Sequence, residues 1–196
     1  MRNELSIPSD KVILLYGGNI GHAQDMENIV RLAKRLRSCK KAHLFLIGQG
    51  DEYEMVHEAI NKYQLENLTL MPSVSQDKYR KYIASADIGL FSLSKAHTAH
   101  NFPGKLLGYM VEKKPILGSV NLGNDVASII LDSKSGLVSF NGDDDQFLAD
   151  ALSLIQNESL RKEMGLNAYA LLKNTFSVDK AYQVICDSYL ASRSKP

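Results

Sequence analysis

The chain has 196 residues, 44% of them hydrophobic and 23% charged, which suits one soluble globular domain whose core needs no disulfide or metal. Its 23 basic residues against 22 acidic leave a net charge of +1, without the basic excess of a nucleic-acid-binding protein. Cys39 and Cys186 lack a CxxC neighbour and read as free thiols in a reducing cytoplasm; no apolar run approaches the ~18 residues of a membrane span, and the N-terminus has no signal-peptide core.

The first apolar run, Val12-Ile13-Leu14-Leu15-Tyr16, reads as a strand ending in Gly17-Gly18-Asn19. Met26, Ile29, Val30, Ala33 and Leu36 follow as one face of a helix. His43-Leu44-Phe45-Leu46-Ile47 is a second strand, closed by Gly48-Gln49-Gly50. Asp51 then caps a helix whose inner face is Met55, Val56, Ala59, Ile60 and Tyr63. Leu68-Thr69-Leu70-Met71 is a third strand, and residues 75–84 form a helix carrying Tyr79, Tyr82 and Ile83. Ile88-Gly89-Leu90-Phe91 is a fourth strand, followed by a polar loop over 92–101.

Pro103 opens a helix that runs to Glu112. Pro115-Ile116-Leu117-Gly118 and Gly136-Leu137-Val138-Ser139 are the last two strands, with a short helix over 124–131 between them. From Asp144 the chain reads as helical throughout, and Ser177 caps the last helix. Six strands alternating with helices predict an α/β, Rossmann-like three-layer domain: a parallel sheet covered on both faces, with a helical C-terminal tail. Ligands in such sheets bind at the carboxyl ends of the strands, where strand order reverses.

Two segments at that edge carry chemistry. Gly17-Gly18-Asn19-Ile20-Gly21-His22 lets backbone amides approach a ligand, and the helix after it offers an N-terminus to an anion. The spacing is not GxGxxG and no acidic residue ends the second strand, which argues against a dinucleotide; a plain tight turn is the alternative. The second segment is His100-Asn101-Phe102-Pro103-Gly104-Lys105-Leu106-Leu107-Gly108-Tyr109-Met110. Pro103 sits where a first-turn proline belongs and Gly104 leaves room for a ligand. The amides of Lys105 and Leu106 point out of the helix end, and Lys105 adds a full positive charge. This is a diphosphate site on physical grounds; a capped helix with an exposed lysine is the alternative.

His97, Thr98 and His100 precede it without a third ligand at zinc spacing, so no metal is expected, and His100 reads as a hydrogen-bonding group for a sugar or phosphate. The basic cluster Arg31, Lys34, Arg35, Arg37, Lys40 and Lys41 and the acidic run Asp143-Asp144-Asp145 read as solvated helix ends.

In order along the chain, LSIPSDKVILLYGGNIG, HLFLIGQGDEYEMV, LTLMPSVSQDKYRKYIASADIGLFSLS, NFPGKLLGYMVEKKPILGS and FSVDKAYQVICDSYL resemble the C-terminal domain of retaining GT-B glycosyltransferases of family 4. The resemblance covers nearly the whole chain and makes residues 1–196 a single donor-binding domain. It implies that a nucleotide diphosphate sugar, uridine-linked, binds at Gly17, Gly18, Asn19, Gly48, Ser73, Val74, Asn101, Phe102, Pro103, Gly104, Lys105 and Leu106, with the backbone around Ser73 and Val74 meeting the base. His100 and Lys105 are the catalytic candidates, and no cofactor is implied. It further implies a glycan or lipid-linked acceptor held by an N-terminal domain, a role in bacterial lipopolysaccharide or capsule synthesis, and a cytoplasmic place with room for peripheral contact at the inner face of the cell membrane. The chain begins where the family's second domain begins, so by itself it is expected to bind donor weakly and transfer nothing.

His100 and Gly108 stand where the family has glutamates, the second of which holds the nucleotide ribose; the first loop has His22 and Gln24 in place of the usual Arg and Lys. These departures also fit a non-catalytic nucleotide-binding or interaction module of the same fold. A nucleotide-sugar epimerase of GT-B shape fits less well, because no matched pair of acids accompanies His100.

Overall fold

The computed structural model describes residues 1–96 and 102–193, with side chains to residue 189. Its strands are β1 (Val12–Asn19), β2 (Ala42–Gln49), β3 (Leu68–Met71), β4 (Ile88–Ser92), β5 (Ile116–Val120) and β6 (Gly136–Phe140). Its helices are α1 (Met26–Arg35), α2 (Tyr53–Tyr63), α3 (Gln76–Ser85), α4 (Gly104–Val111), α5 (Asp125–Asp132), α6 (Asp144–Gln156), α7 (Glu158–Leu171) and α8 (Val178–Arg193). All five strand pairings are parallel, in the order β3-β2-β1-β4-β5-β6. That order reverses between β1 and β4, so a crevice opens where the loops after these two strands part.

Alternation along the central strands builds two cores. Leu14, Tyr16, Leu44 and Leu46 face α1, α2 and α6, while Ile13, Leu15, Phe45 and Ile47 face α3, α4, α5 and α7. Both faces of β1 are therefore buried, which is why its sequence reads as a continuous apolar run. The basic and acidic runs meet across the first of these faces: Arg31 pairs with Asp144 at 2.9 Å and Arg35 with Asp145, tying α1 to α6. Two members of each run thus join the helices, while Arg37, Lys40, Lys41 and Asp143 stay exposed as the sequence predicts; half-exposed pairs of this kind add only about 0–1 kcal/mol each.

Some boundaries differ from the sequence reading. Leu36 lies in a short 3-10 turn after α1. Asp51 does not cap α2, which starts after Glu52; its carboxylate instead approaches His22 at 3.4 Å. The helical tail is broken at Asn157, whose side chain accepts from the Leu160 amide, and at a π-type turn over Leu172–Phe176. Ser177 accepts from the Lys180 amide, as a cap of α8 should. Along α8, Val178, Tyr182 and Ile185 form a largely exposed stripe at helical spacing.

Candidate functional site

The carboxyl ends of β1 and β2, the loop after β3 and the start of α3 enclose a pocket of about 230 Å³ lined by Gly18, Ile47, Gly48, Ser73, Val74, Gln76 and Tyr79. Four residues named from the sequence, Gly18, Gly48, Ser73 and Val74, thus come together. Gly48 has to be glycine, because a β-carbon there would stand 1.8 Å from the Gly18 carbonyl oxygen. A larger cavity of about 480 Å³ lies at the opposite, amino edge of the sheet among Lys11, Arg37, Lys40 and His43. The strand-end rule for parallel sheets favours the smaller one as the ligand site.

The N-terminus of α1 is not free for an anion, contrary to the expectation for the first glycine loop. A 3-10 turn over His22–Gln24 intervenes, the Glu52 carboxylate accepts from the Met26 amide at 3.0 Å, and Asp25 accepts from that of Asn28. Glu52 also holds His22 Nδ1 at 2.7 Å, and with Asp51 it raises the pKa of that exposed imidazole. Gly17 is buried, whereas Asn19 stays exposed at the end of β1. The Gly17 amide donates to the Tyr109 hydroxyl at 3.2 Å, and the Asn19 side chain donates to Gln24 at 2.8 Å. Gly18 and Asn19 remain exposed at the end of β1, and Gly18 is held at φ +124, a conformation that glycine adopts without strain.

The N-terminus of α4 differs from that of α1. Pro103 is its cap residue rather than its first helical one, and provides no side-chain hydrogen bond. Leu106 bonds back to the Pro103 carbonyl at 3.0 Å and its side chain is fully buried, so it serves packing. Among the described residues the amides of Gly104 and Lys105 have no hydrogen-bond partner, and a β-carbon at Gly104 would meet nothing within 4 Å. Phe102 turns away: its ring packs on Phe176 with centroids 4.4 Å apart. His97, Thr98, His100 and Asn101 lie outside the described residues.

Lys105 reaches from α4 over Gly18 to place Nζ 3.8 Å from the centre of the Tyr16 ring. Among the described residues it has no ion pair, and burial brings its pKa down to about 8. An ammonium beside a helix N-terminus, with no counter-charge among the described residues, is a ready partner for an anion. No group of three or more His, Cys, Asp or Glu among the described residues is arranged to hold a metal ion.

Three tyrosines frame the site, and none of them was named from the sequence as a site residue. Tyr109 accepts from Gly17 and donates to the Leu90 carbonyl at 3.2 Å, locking α4 to β1 and β4. Burial pushes its phenol pKa well up, so it stays a neutral hydrogen-bonding group. Tyr79 lines the pocket with its hydroxyl buried against Gly17, and Tyr16 lies under Lys105. Each reads in sequence as ordinary strand or helix core, since only the fold brings positions so far apart together. Gly108 lies toward α3: a β-carbon there would meet Ile83 Cδ1 at 3.3 Å.

A model of the family described as glycosyl transferases group 1 matches residues 1–171. An Escherichia coli K12 protein, WcaI, named as a colanic acid biosynthesis glycosyl transferase, is 30% identical over 106 residues, which are 54% of this chain and 26% of its own length. The C-terminal domain of a group 1 glycosyl transferase, LpcC of Francisella tularensis, superposes with a TM-score of 0.70 at 16% identity, covering 90% of this chain and 91% of that domain. The Anabaena protein HepE, in complex with UDP-glucose, superposes with a TM-score of 0.76 at 15% identity over 97% of this chain and 51% of its own. The chain spans between about a quarter and a half of the length of its curated relatives.

Proposed function

The chain belongs to the glycosyl transferases group 1 family, and from that premise we propose that it is the donor-binding half of a retaining glycosyltransferase. Its donor is a nucleotide diphosphate sugar, UDP-linked, and its acceptor a glycan or a lipid-linked glycan. The observation that carries this reading is Lys105: an ammonium with no ion pair among the described residues, beside the N-terminus of α4, next to a pocket of nucleobase size. In this reading the base enters the pocket at Ser73 and Val74, and the diphosphate lies over Gly18 against Gly104 and Lys105.

As the glycosidic bond breaks, negative charge grows on the departing diphosphate. Fixed amides and the Lys105 ammonium stabilise that charge without reorganising, which is where most of the rate enhancement arises. These groups, rather than a metal ion, carry the charge. His100, the other candidate, supplies a hydrogen bond to the sugar or phosphate. The name of WcaI supports a place in bacterial surface-polysaccharide synthesis; a place in the cytoplasm or at the inner face of the membrane is part of the same proposal. No helix among the described residues is long and apolar enough to cross a membrane. The exposed stripe of α8 supports a second domain against which this helix packs, and hence an acceptor site outside residues 1–196.

Calorimetric titration with UDP, GDP and UDP-glucose tests the reading. UDP binds in the micromolar to millimolar range, and Lys105→Ala weakens it by roughly ten- to a hundredfold, as expected for a lost charge-assisted hydrogen bond. Absence of UDP and GDP binding at millimolar concentration overturns it. Sugar transfer by the 196-residue chain alone overturns the claim that the acceptor site lies elsewhere.

A further inference from the structure

Lys105 belongs to α4, whose buried residues Leu106, Tyr109 and Met110 pack on one face of the sheet. Tyr16 belongs to the core on the other face. The ammonium therefore crosses the carboxyl edge of the sheet to reach the ring, and it does so over Gly18, where a β-carbon would already touch Cε at 3.4 Å. Tyr16 is fixed at both ends. Its ring is fully buried and its hydroxyl donates to the carbonyl of Asn19, the last residue of β1.

From this geometry we infer that Tyr16 is a positioning residue for Lys105: its ring face holds the ammonium over the first glycine loop, at the place where a diphosphate binds. The inference rests on the reading of Lys105 as the diphosphate-binding cation. The choice of an aromatic ring is what gives it chemical sense. A carboxylate at this place would neutralise the lysine and compete with an incoming anion. The face of a ring attracts the cation through its quadrupole, leaves its charge intact and is a weak enough partner to share it. A lysine side chain free of any partner would sample many rotamers, and ordering it on binding would lower affinity. Burial keeps the Tyr16 phenol neutral far above physiological pH, so the ring surface does not change character as the lysine titrates.

The contrast between UDP and uridine isolates the diphosphate. Tyr16→Leu is expected to weaken UDP about fivefold while leaving uridine unchanged, and Tyr16→Phe, which keeps the ring, to stay within twofold of wild type for both. In a Lys105→Met background, Tyr16→Leu should have no further effect on UDP. Equal weakening of uridine, or an undiminished effect of Tyr16→Leu in the Lys105→Met background, overturns the inference. UDP binding unaffected by Lys105→Met sinks the reading of Lys105 itself, which is a different result.

Because Tyr16 is buried, a second measurement uses the wild-type chain. Proton NMR of the unliganded protein should show the Lys105 Hε signals shifted upfield by the ring current of Tyr16, and still shifted in Tyr16→Phe. Unshifted Hε signals in the wild type mean that the ammonium does not rest on the ring, and the inference falls.

Discussion

At the scale of single residues the site depends on a lysine that is charged but poorly solvated. Burial lowers the Lys105 pKa to about 8, so the free site holds the ammonium below that pH and loses it progressively above. Bound diphosphate favours the charged form and pulls the pKa back up. UDP affinity should therefore be constant near pH 7 and fall as pH rises through about 8 to about 9. Lys105→Arg keeps its charge throughout, and its affinity should be flat over the same range. Titrations at three pH values check this, and a parallel fall in both proteins would show that another group titrates. Gly48 sets a second, steric condition. A methyl group there strikes the Gly18 carbonyl, which is backbone and cannot rotate away. Gly48→Ala should cost about 1–3 kcal/mol in urea unfolding and should weaken UDP as well, because the displaced end of β1 carries Gly18. Ready accommodation of the methyl, with unchanged stability, would mean that the ends of β1 and β2 are not held in contact.

At the scale of elements, α4 is the piece to be held in place, and it is held from two sides. Tyr109 ties it to β1 and β4, and Phe102, just before it, packs on Phe176 in the π-type turn after α7. Phe176→Ala removes that support without touching the pocket. It should lower stability by roughly 1–2 kcal/mol and weaken UDP severalfold, with uridine affected less. Calorimetry and urea unfolding of the variant check both effects; equal losses for UDP and uridine would argue that Phe176 acts only on global stability. This link also shows what the sequence could and could not carry. The four inner strands are legible because burial on both faces writes them as largely apolar runs, the half-buried edge strands β3 and β6 because turn residues bound their short runs, and α4 because proline, glycine and lysine mark its start. The extension of β1 through Gly17-Gly18-Asn19 is not legible, since those glycines look like a loop until Ile47-Gly48-Gln49 pairs with them. The Glu52 cap on α1 is hidden for the same reason: its partner lies 26 positions away, in the next unit of the fold. Ser73 and Val74 came from family resemblance, while Tyr16 and Tyr79 needed the strand order β3-β2-β1-β4, which no local pattern encodes.

At the scale of the whole molecule, the two edges of the sheet respond to pH in different ranges and for different purposes. The carboxyl edge carries Lys105 and titrates above neutrality. The amino edge carries His43, which is buried at the start of β2 with Nε2 2.9 Å from the Thr69 hydroxyl. Desolvation first, and then the nearby charges of Lys11 and Arg2, lower its pKa from 6.5 to about 4. In the unfolded chain this histidine takes up a proton near pH 6.5, whereas in the folded chain it stays neutral until about pH 4. Stability that is fully present above pH 6.5 is therefore lost as pH falls toward 4. Between pH 7 and pH 5 the loss attributable to His43 is about 2 kcal/mol, a sizeable share of the 5–15 kcal/mol typical of a domain. Urea unfolding at the two pH values should show it in the wild type. His43→Gln, which keeps a hydrogen-bonding group for Thr69 but cannot be protonated, should be less stable at pH 7 yet nearly free of this slope. The same slope in both proteins would place the acid sensitivity on other groups. UDP affinity, corrected for any unfolded fraction, should be the same in both proteins above pH 6, because the length of β2 separates His43 from the strand ends that carry Gly18 and Gly48 and from α4, which carries Lys105.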